Sequence, residues 1–452
     1  MNAARIQYWR PFQPTRNEPW NIERAAHLHR RAGFGATWKQ LHRDLQLEPT
    51  EVVSRVFAPN INDEFDGTCT ALRNGLKSSL DPQRRLQAYW TFRLAFDPDP
   101  LTEKVTLFWH NHFATSNQKV GNPSMMLQQN ESLRTHALGH FGELLQSMLH
   151  DPAMLIWLDG LNTSAVAPNE NLGRELLELF TLGIGNYDEH DVRAAARCLT
   201  GQRLNDSNEQ GVEPKIVFDQ SRFDKGKKTL LGQTGNFGQD ELVRILLEQP
   251  ACARFLCNKI YRAFVSDTVT PEPQVIEELA EFMRTNNYSV RSVLELVFCS
   301  EHFFSKQVLL SKVASPVEWN IRIVRQLEIP PSQIRLSAID ELCWRMGQQL
   351  FYPPNVAGWP GGEKWIEGMR GVERILGARV WVWGDAELGL SPLSIRRWAL
   401  RNEIPLDDMA RSLEILLLQA NRNHGQSRRV LDGPSEQAHL QNLLCNQQFQ
   451  LT

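Results

Sequence analysis

The chain has 452 residues, enough for two or three average domains or one large one, with 42% apolar and 22% charged residues. Forty-nine Lys and Arg against 52 Asp and Glu give a formal charge of -3, which argues against an obligate nucleic-acid binder and its usual basic excess. No apolar run reaches the ~18–20 residues of a membrane helix, and seven scattered cysteines without a CxxC pair argue against a disulfide scaffold.

Taken in chain order, residues 1–20 read as an N-terminal arm. Arg5 and Arg10 have no apolar core behind them, so no export signal is expected and the cytoplasm is the expected address. Apolar residues then recur at three- and four-residue spacing near 21–32, 38–57, 83–96, 101–116, 124–149, 170–183, 188–201 and 239–264. The pattern resumes near 273–285, 290–299, 315–327, 338–350, 394–400 and 406–420. Residues 204–236 interrupt it with a polar, Gly-rich excursion holding a β-like run at Lys215–Phe218. Pro353, Pro354, Gly358, Pro360, Gly361 and Gly362 forbid a helix across 351–362 and predict a fixed loop. A polar stretch at 423–438 reads as a link or a frayed end. The expected fold is therefore mainly α: a large, bundle-like helical core over 21–390, a short β-hairpin or loop excursion near 204–236, and a helical appendage and tail over 391–452.

Three polar stripes are candidate sites. At about 100° per residue, Glu170, Asn171, Arg174, Glu175 and Glu178 share one side of a helix whose other side is Leu172, Leu176, Leu177, Leu179 and Phe180. They form either a solvated face with a Glu–Arg ladder or a set of carboxylates projecting into a polar cavity around Arg174. Carboxylates clustered in a cavity would repel one another or bind a cation. His136, His140 and Glu143 fall at i, i+4 and i+7, which places both imidazoles on one helical face, a workable metal pair or a solvated stripe. In Phe108-Trp109-His110-Asn111-His112-Phe113 the histidines point to opposite sides. His112 shares an apolar face with Leu101, Val105 and Phe108, as a hydrogen-bonded core residue or a ligand, and His110 is expected to be exposed beside Glu103. No GxSxG, HExxH, GxxxxGK[ST] or GxGxxG occurs.

Several runs also match a known pattern. They are HLHRRAGFG (27–35), TLFWHNHF (106–113), DPAMLIWLDG (151–160) and NENLGRELLELFTLGIGNYDEHDVRAAARCLTG (169–201). QPACARF (249–255), SPVE (315–318) and the 351–362 loop follow in the same order. Over roughly 20–375 the chain resembles the bacterial family catalogued as domain of unknown function 1800. The resemblance implies a large, mostly helical protein of a family without an established reaction, many of whose members carry export signals. It also implies, as a partner, a sulfatase-like protein of the family of domain of unknown function 1501. By position, the family's polar signature falls on His112, His136, Asp159, Asn169, Glu170, Arg174, Glu175, Glu178, Glu189, Asp191 and Arg197. The family's usual His-Asp pair reads Phe223-Asp224 here, so a histidine-dependent activity would lack its histidine.

Two functions follow as expectations. The first is an enzyme whose pocket is walled by the 170–178 and 101–113 helices, with Asp224 supplied by the excursion. Glu170, Glu175 or Glu178 would serve as base, Arg174 as anion clamp and His112 as acid or base. In its metal-dependent version a divalent ion sits on His112, His136, Glu175 and Glu178, for hydrolytic or oxidative chemistry. The alternative is a non-catalytic helical binding or assembly protein that works with the sulfatase-like partner, its carboxylates and Arg174 forming a structural lattice. The 13 tryptophans sharpen neither reading. Trp109, Trp157, Trp319, Trp359 and Trp365 lie in the matched segments and suit cavity walls as well as helix packing.

Overall fold

The computed structural model describes residues 7–58, 62–76, 79–205, 214–419 and 433–452. Residues 206–213 of the excursion and 423–432 of the polar stretch lie outside the described residues. The protein is 58% helical with two small two-stranded sheets, so the mainly α expectation holds. Helix starts follow one local rule. Asp81, Asp99, Asn122, Asp151 and Ser315 each cap a helix with a side-chain oxygen and are each followed by proline. The cap accepts an orphan N–H, and proline lacks the N–H that would have been orphaned.

Three expected helices are broken. The 38–57 stretch forms Trp38–Asp44 and Pro49–Val56, and 239–264 forms Gln239–Glu248 and Pro250–Phe264, each divided at its proline. The 124–149 stretch divides into Pro123–Thr135 and Phe141–Leu149 at the Ala137-Leu138-Gly139 turn. The stretch at 170–183 is α-helical only over Glu170–Glu175 and continues as a π-helix over Leu176–Thr181. The excursion pairs Gln202–Asn205 with Lys215–Phe218, and Lys228–Leu230 with Gln233–Gly235, both antiparallel.

The apolar side chains fall into two large cores. One gathers Trp109, Phe113, Phe141, Leu177, Phe180, Tyr261 and Phe298. The other joins Trp90, Met126, Trp319 and Ile321 to Trp381, Trp398, Leu413 and Leu440, so residues beyond 390 share a core with the 82–96 helix. The Pro100–His112 helix serves both: Leu101, Val105 and Trp109 enter the first and Leu107 the second. This double burial decides the surroundings of its polar residues.

Candidate functional site

The carboxylate stripe lies beside the Glu189–Cys198 helix and is half solvated. Arg174 donates to both oxygens of Glu189 at 2.7 and 2.8 Å and to Glu170 at 3.4 Å. Arg174, Glu170 and Glu189 keep 35%, 42% and 63% of their side-chain surface exposed, in the range where ion pairs contribute about 0–1 kcal/mol. Glu178 accepts the Tyr187 hydroxyl at 2.9 Å. Burial, then the neighbouring Glu178, pushes the Glu175 carboxyl up. Asp224 belongs to a separate pair: Arg197 donates to it at 2.7 and 3.2 Å and holds its carboxyl below the usual range. Phe223 faces the Lys228 ammonium 5.0 Å from its ring.

The histidines depart further from expectation. His136 caps the C-terminus of one helix and His140 the N-terminus of the next, so they do not share a helical face. His136 Nδ1 bonds the Ser132 carbonyl at 2.9 Å and His140 Nδ1 the Asn287 carbonyl at 2.7 Å. His110 is buried, not exposed. The Phe351 N–H donates to its Nε2 at 3.2 Å, Trp90 packs edge-on, and burial lowers its pKa to about 3. Its helix has two apolar environments, and the sequence pattern displays only one of them.

His112 is buried as well, in a fixed arrangement. The first and larger cause of its lowered pKa is burial, the second Lys259. Nε2 lies 3.1 Å from the Phe180 carbonyl and must carry the proton; Nδ1 then accepts from Lys259 Nζ at 3.2 Å. Lys259 also donates to the Leu179 carbonyl at 2.9 Å. Leu179 and Phe180 lie in the last turn of the π-helix, which ends at Thr181 and whose last carbonyls have no partner within it. Both of these residues therefore satisfy the end of the same irregular segment. Among the described residues no group of three or more His, Cys, Asp or Glu side chains is placed to hold a metal ion.

His112 and Lys259 border a cavity of about 540 Å³, a volume typical of small-molecule sites. Its walls are the Pro100–His112 and Pro250–Phe264 helices, the 312–318 turn and the 357–365 loop. Phe108, Trp359 and Trp365 supply apolar surface. The loop is tied down at both ends: the Trp359 N–H donates to Asn111 Oδ1 at 2.7 Å and the Gly362 N–H to Asp267 Oδ2 at 3.1 Å. Trp109 and Trp319 are core residues.

The floor is charged and buried. Glu318 accepts from Lys104, and from Lys312 at 3.0 and 2.9 Å. Burial lowers Lys104 to about 8 against the opposing pull of Glu318, while the two lysines hold the Glu318 carboxyl far below the carboxylate range. Lys259 is lowered to about 8 by burial. Lys104, Lys259, Arg262, Lys312 and Lys364 thus face the cavity with only Asp267 and Glu318 of opposite sign.

Of the lining residues the sequence pointed to His112 as a candidate and to Trp359 and Trp365 as suited to cavity walls, and not to Lys104, Lys259, Arg262, Asp267, Lys312, Glu318 or Lys364. Signals existed: Lys104 interrupts an apolar helix, and Ser315-Pro-Val-Glu318 has capping-box spacing, here realised with Ser315 and Glu318 exchanging backbone bonds. Neither signal shows that the two meet.

Residues 27–451 match the family model described as Protein of unknown function (DUF1800). The chain belongs to this family, and the match runs through the segment after 390. No curated protein and no solved structure matches the chain.

Proposed function

We propose that the protein binds an anionic small molecule in the cavity between the 100–112 and 250–264 helices. The observation that carries this reading is the lining itself: five cationic side chains against two carboxylates, beneath aromatic walls. Low-dielectric walls strengthen such a field, and the aromatic surface favours an organic anion over a bare inorganic one. Lys259, held by His112, is the group placed to act on a ligand. The metal-dependent hydrolytic or oxidative version on Glu175, Glu178 and His136 draws no support from the contacts, because each of these residues is engaged elsewhere or faces solvent.

The test is thermal stability and calorimetry at constant ionic strength with malonate, citrate, phosphate and sulfate, against neutral and cationic analogues. An organic anion should raise the melting temperature, and Arg262→Ala with Lys364→Ala, both at exposed positions, should weaken its binding. Stabilisation by the neutral or cationic analogues alone would overturn the reading.

A second reading, assembly with a sulfatase-like partner of the family of domain of unknown function 1501, has one observation in its favour. The Met369–Trp383 helix exposes Met369, Val372, Ile375, Leu376 and Trp383 together, more contiguous apolar surface than a lone helix face usually leaves in water. Co-purification of the two proteins, lost on Ile375→Asp, tests it.

A further inference from the structure

We infer that Lys259 is a carbonyl-capturing lysine, whose amino group forms a reversible imine with an aldehyde or ketone carried by an anionic ligand in the cavity. The inference rests on the anion-binding reading and adds the ligand's reactive group. Three features of the geometry carry it.

First, Lys259 lines the cavity without a carboxylate partner: its described contacts are the Leu179 carbonyl, His112 Nδ1 and the Phe255 ring, 4.8 Å from Nζ. Lys104 and Lys312, the buried lysines of the same cavity, are by contrast each paired with Glu318, while Lys259 is half-buried. Second, the two hydrogen-bond acceptors match the two N–H groups of a neutral amine. With both N–H groups so engaged, the lone pair of the amine is left without a partner among the described residues. Third, the acceptors are rigid. The π-helix fixes the carbonyls of Leu179 and Phe180, and Phe180 in turn fixes the His112 tautomer that presents Nδ1 to the lysine. π-Helical turns are rare and occur frequently at functional sites. Burial favours the uncharged amine further, since it lowers Lys259 to about 8.

The step balances without an added oxidant or reductant. Nζ adds to the carbonyl carbon, forming the C–N bond, and the first nitrogen proton passes to the carbonyl oxygen through water. The carbinolamine then loses its C–O bond, and the oxygen leaves as water with the second nitrogen proton. His112 is a positioning residue here. Its Nδ1 orients the amine at 3.2 Å and takes no part in bond making.

The experiment uses the full chain with glyoxylate, an anionic aldehyde, in the presence of cyanoborohydride, and peptide mapping of the reduced adduct. Malonate, an anion without a carbonyl to capture, serves as ligand and competitor. Near pH 7.5 a lysine at about 8 holds on the order of a hundredfold more free amine than an ordinary one. Lys259 should therefore be labelled at least about tenfold faster than the exposed Lys225, Lys227 and Lys306, and malonate should suppress its labelling alone. Lys259→Arg should remove this adduct. At saturating glyoxylate His112→Leu should slow labelling of Lys259, and His112→Gln, which retains an acceptor, should restore it. If malonate binds but Lys259 reacts no faster than surface lysines, the imine is refuted and the anion site stands. If neither malonate nor glyoxylate binds, the anion site falls and the imine with it.

Discussion

Glu318→Gln removes one charge from the cavity floor with almost no change of volume. In the native protein one carboxylate oxygen accepts from Lys104 and Lys312, and the other accepts from Lys312 at 2.9 Å and the Ser315 N–H at 2.6 Å. A glutamine presents its oxygen at only one of these corners. Its amide N–H groups then face two donors at the other, whichever way it turns. Two buried ammonium groups also lose their counter-charge. Removing one partner of a buried pair costs about 3–5 kcal/mol, a large part of the ~5–15 kcal/mol that holds a typical domain. The pH dependence carries the sharper signature. Lys104 sits at about 8 in the native protein, and Glu318 is the group that keeps it from falling further. Without Glu318 it becomes neutral in the folded state at lower pH, while the unfolded lysine stays protonated to ~10.4. The unfolded state then binds more protons and stability rises with pH, by about 1.4 kcal/mol per unit. Wild-type protein begins this rise only near pH 8. The deficit of the variant should therefore narrow by roughly 1 kcal/mol between pH 7 and 8. It should fade in acid too, because a depressed carboxylate contributes fully above its unfolded pKa and loses that contribution as pH falls towards the folded one. Urea unfolding at pH 7, 8 and 9 reads the narrowing, and a second series below about pH 5 reads the fading in acid, provided the denaturant slopes agree. A deficit below about 1 kcal/mol at pH 7, or one that grows between pH 7 and 8, would refute the account of the floor.

Gly358 has φ +84°, and a Cβ there would collide with the side chain and backbone of Asn111. Gly358→Ala should cost about 1–2 kcal/mol from the left-handed backbone alone and weaken malonate binding by displacing Trp359; unchanged affinity by calorimetry would separate the loop from the site. Glu178→Gln keeps an oxygen for the Tyr187 hydroxyl, so its denaturation midpoint should shift by no more than ~0.5 kcal/mol. A loss of several kcal/mol would instead restore the buried-lattice reading of the stripe. Treatment with EDTA, followed by its removal by dialysis, should leave both the melting temperature and malonate binding unchanged, since the ring nitrogens of His112 are already engaged by Phe180 and Lys259. A fall in either would show that these ligands regroup around a metal.

Helix positions were legible because their signals are local. An Asp, Asn or Ser before proline caps a helix at Asp81, Asp99, Asn122, Asp151 and Ser315, though not at Asp97 or Ser391, and the β-like run at Lys215–Phe218 is indeed a strand. The Met369–Trp383 helix escaped notice because it is apolar on both faces, with Trp381 and Ala378 buried and Ile375 and Leu376 exposed. That pattern carries no clean period. His136 and His140 looked like a pair because periodicity does not register a three-residue turn inside an apolar run. The candidate site was hidden for a different reason. Lys104, Lys259 and Lys312 come from three segments, and a lysine next to apolar residues reads as a solvated flank until the facing core is known. The stripe around Arg174 was visible because i,i+4 spacing displays itself in one helix, which is also the condition for a solvent-facing ladder.

The charge at the cavity floor belongs to a wider arrangement that explains why it stays positive. Arg30, Arg31, Arg322 and Arg374 are all buried behind it. Their described partners are mainly backbone carbonyls: Leu417 for Arg30, Val308 for Arg31, Phe449 and Leu451 for Arg322, Trp365 and Ala314 for Arg374. A carbonyl satisfies a guanidinium's hydrogen bonds without cancelling its charge, so these four cations leave a net field that Glu318 and Asp267 offset only in part. Burial lowers Arg31 to about 10 against Asp267 and Glu318, and burial with the neighbouring Arg374 lowers Arg322 to about 9 against Glu318, yet both stay protonated near neutrality. The structural use is clear: the arginines cap carbonyls near the 409–418 helix end, the 300–308 turn and the 446–452 segment, and so lock distant parts of the chain together. The same cations place positive potential beneath the one wall where Lys104 and Lys312 open onto the cavity. An anion entering there completes a charge balance that the fold itself leaves unfinished, and its binding should stabilise the junction of the two cores as well as the loop above it.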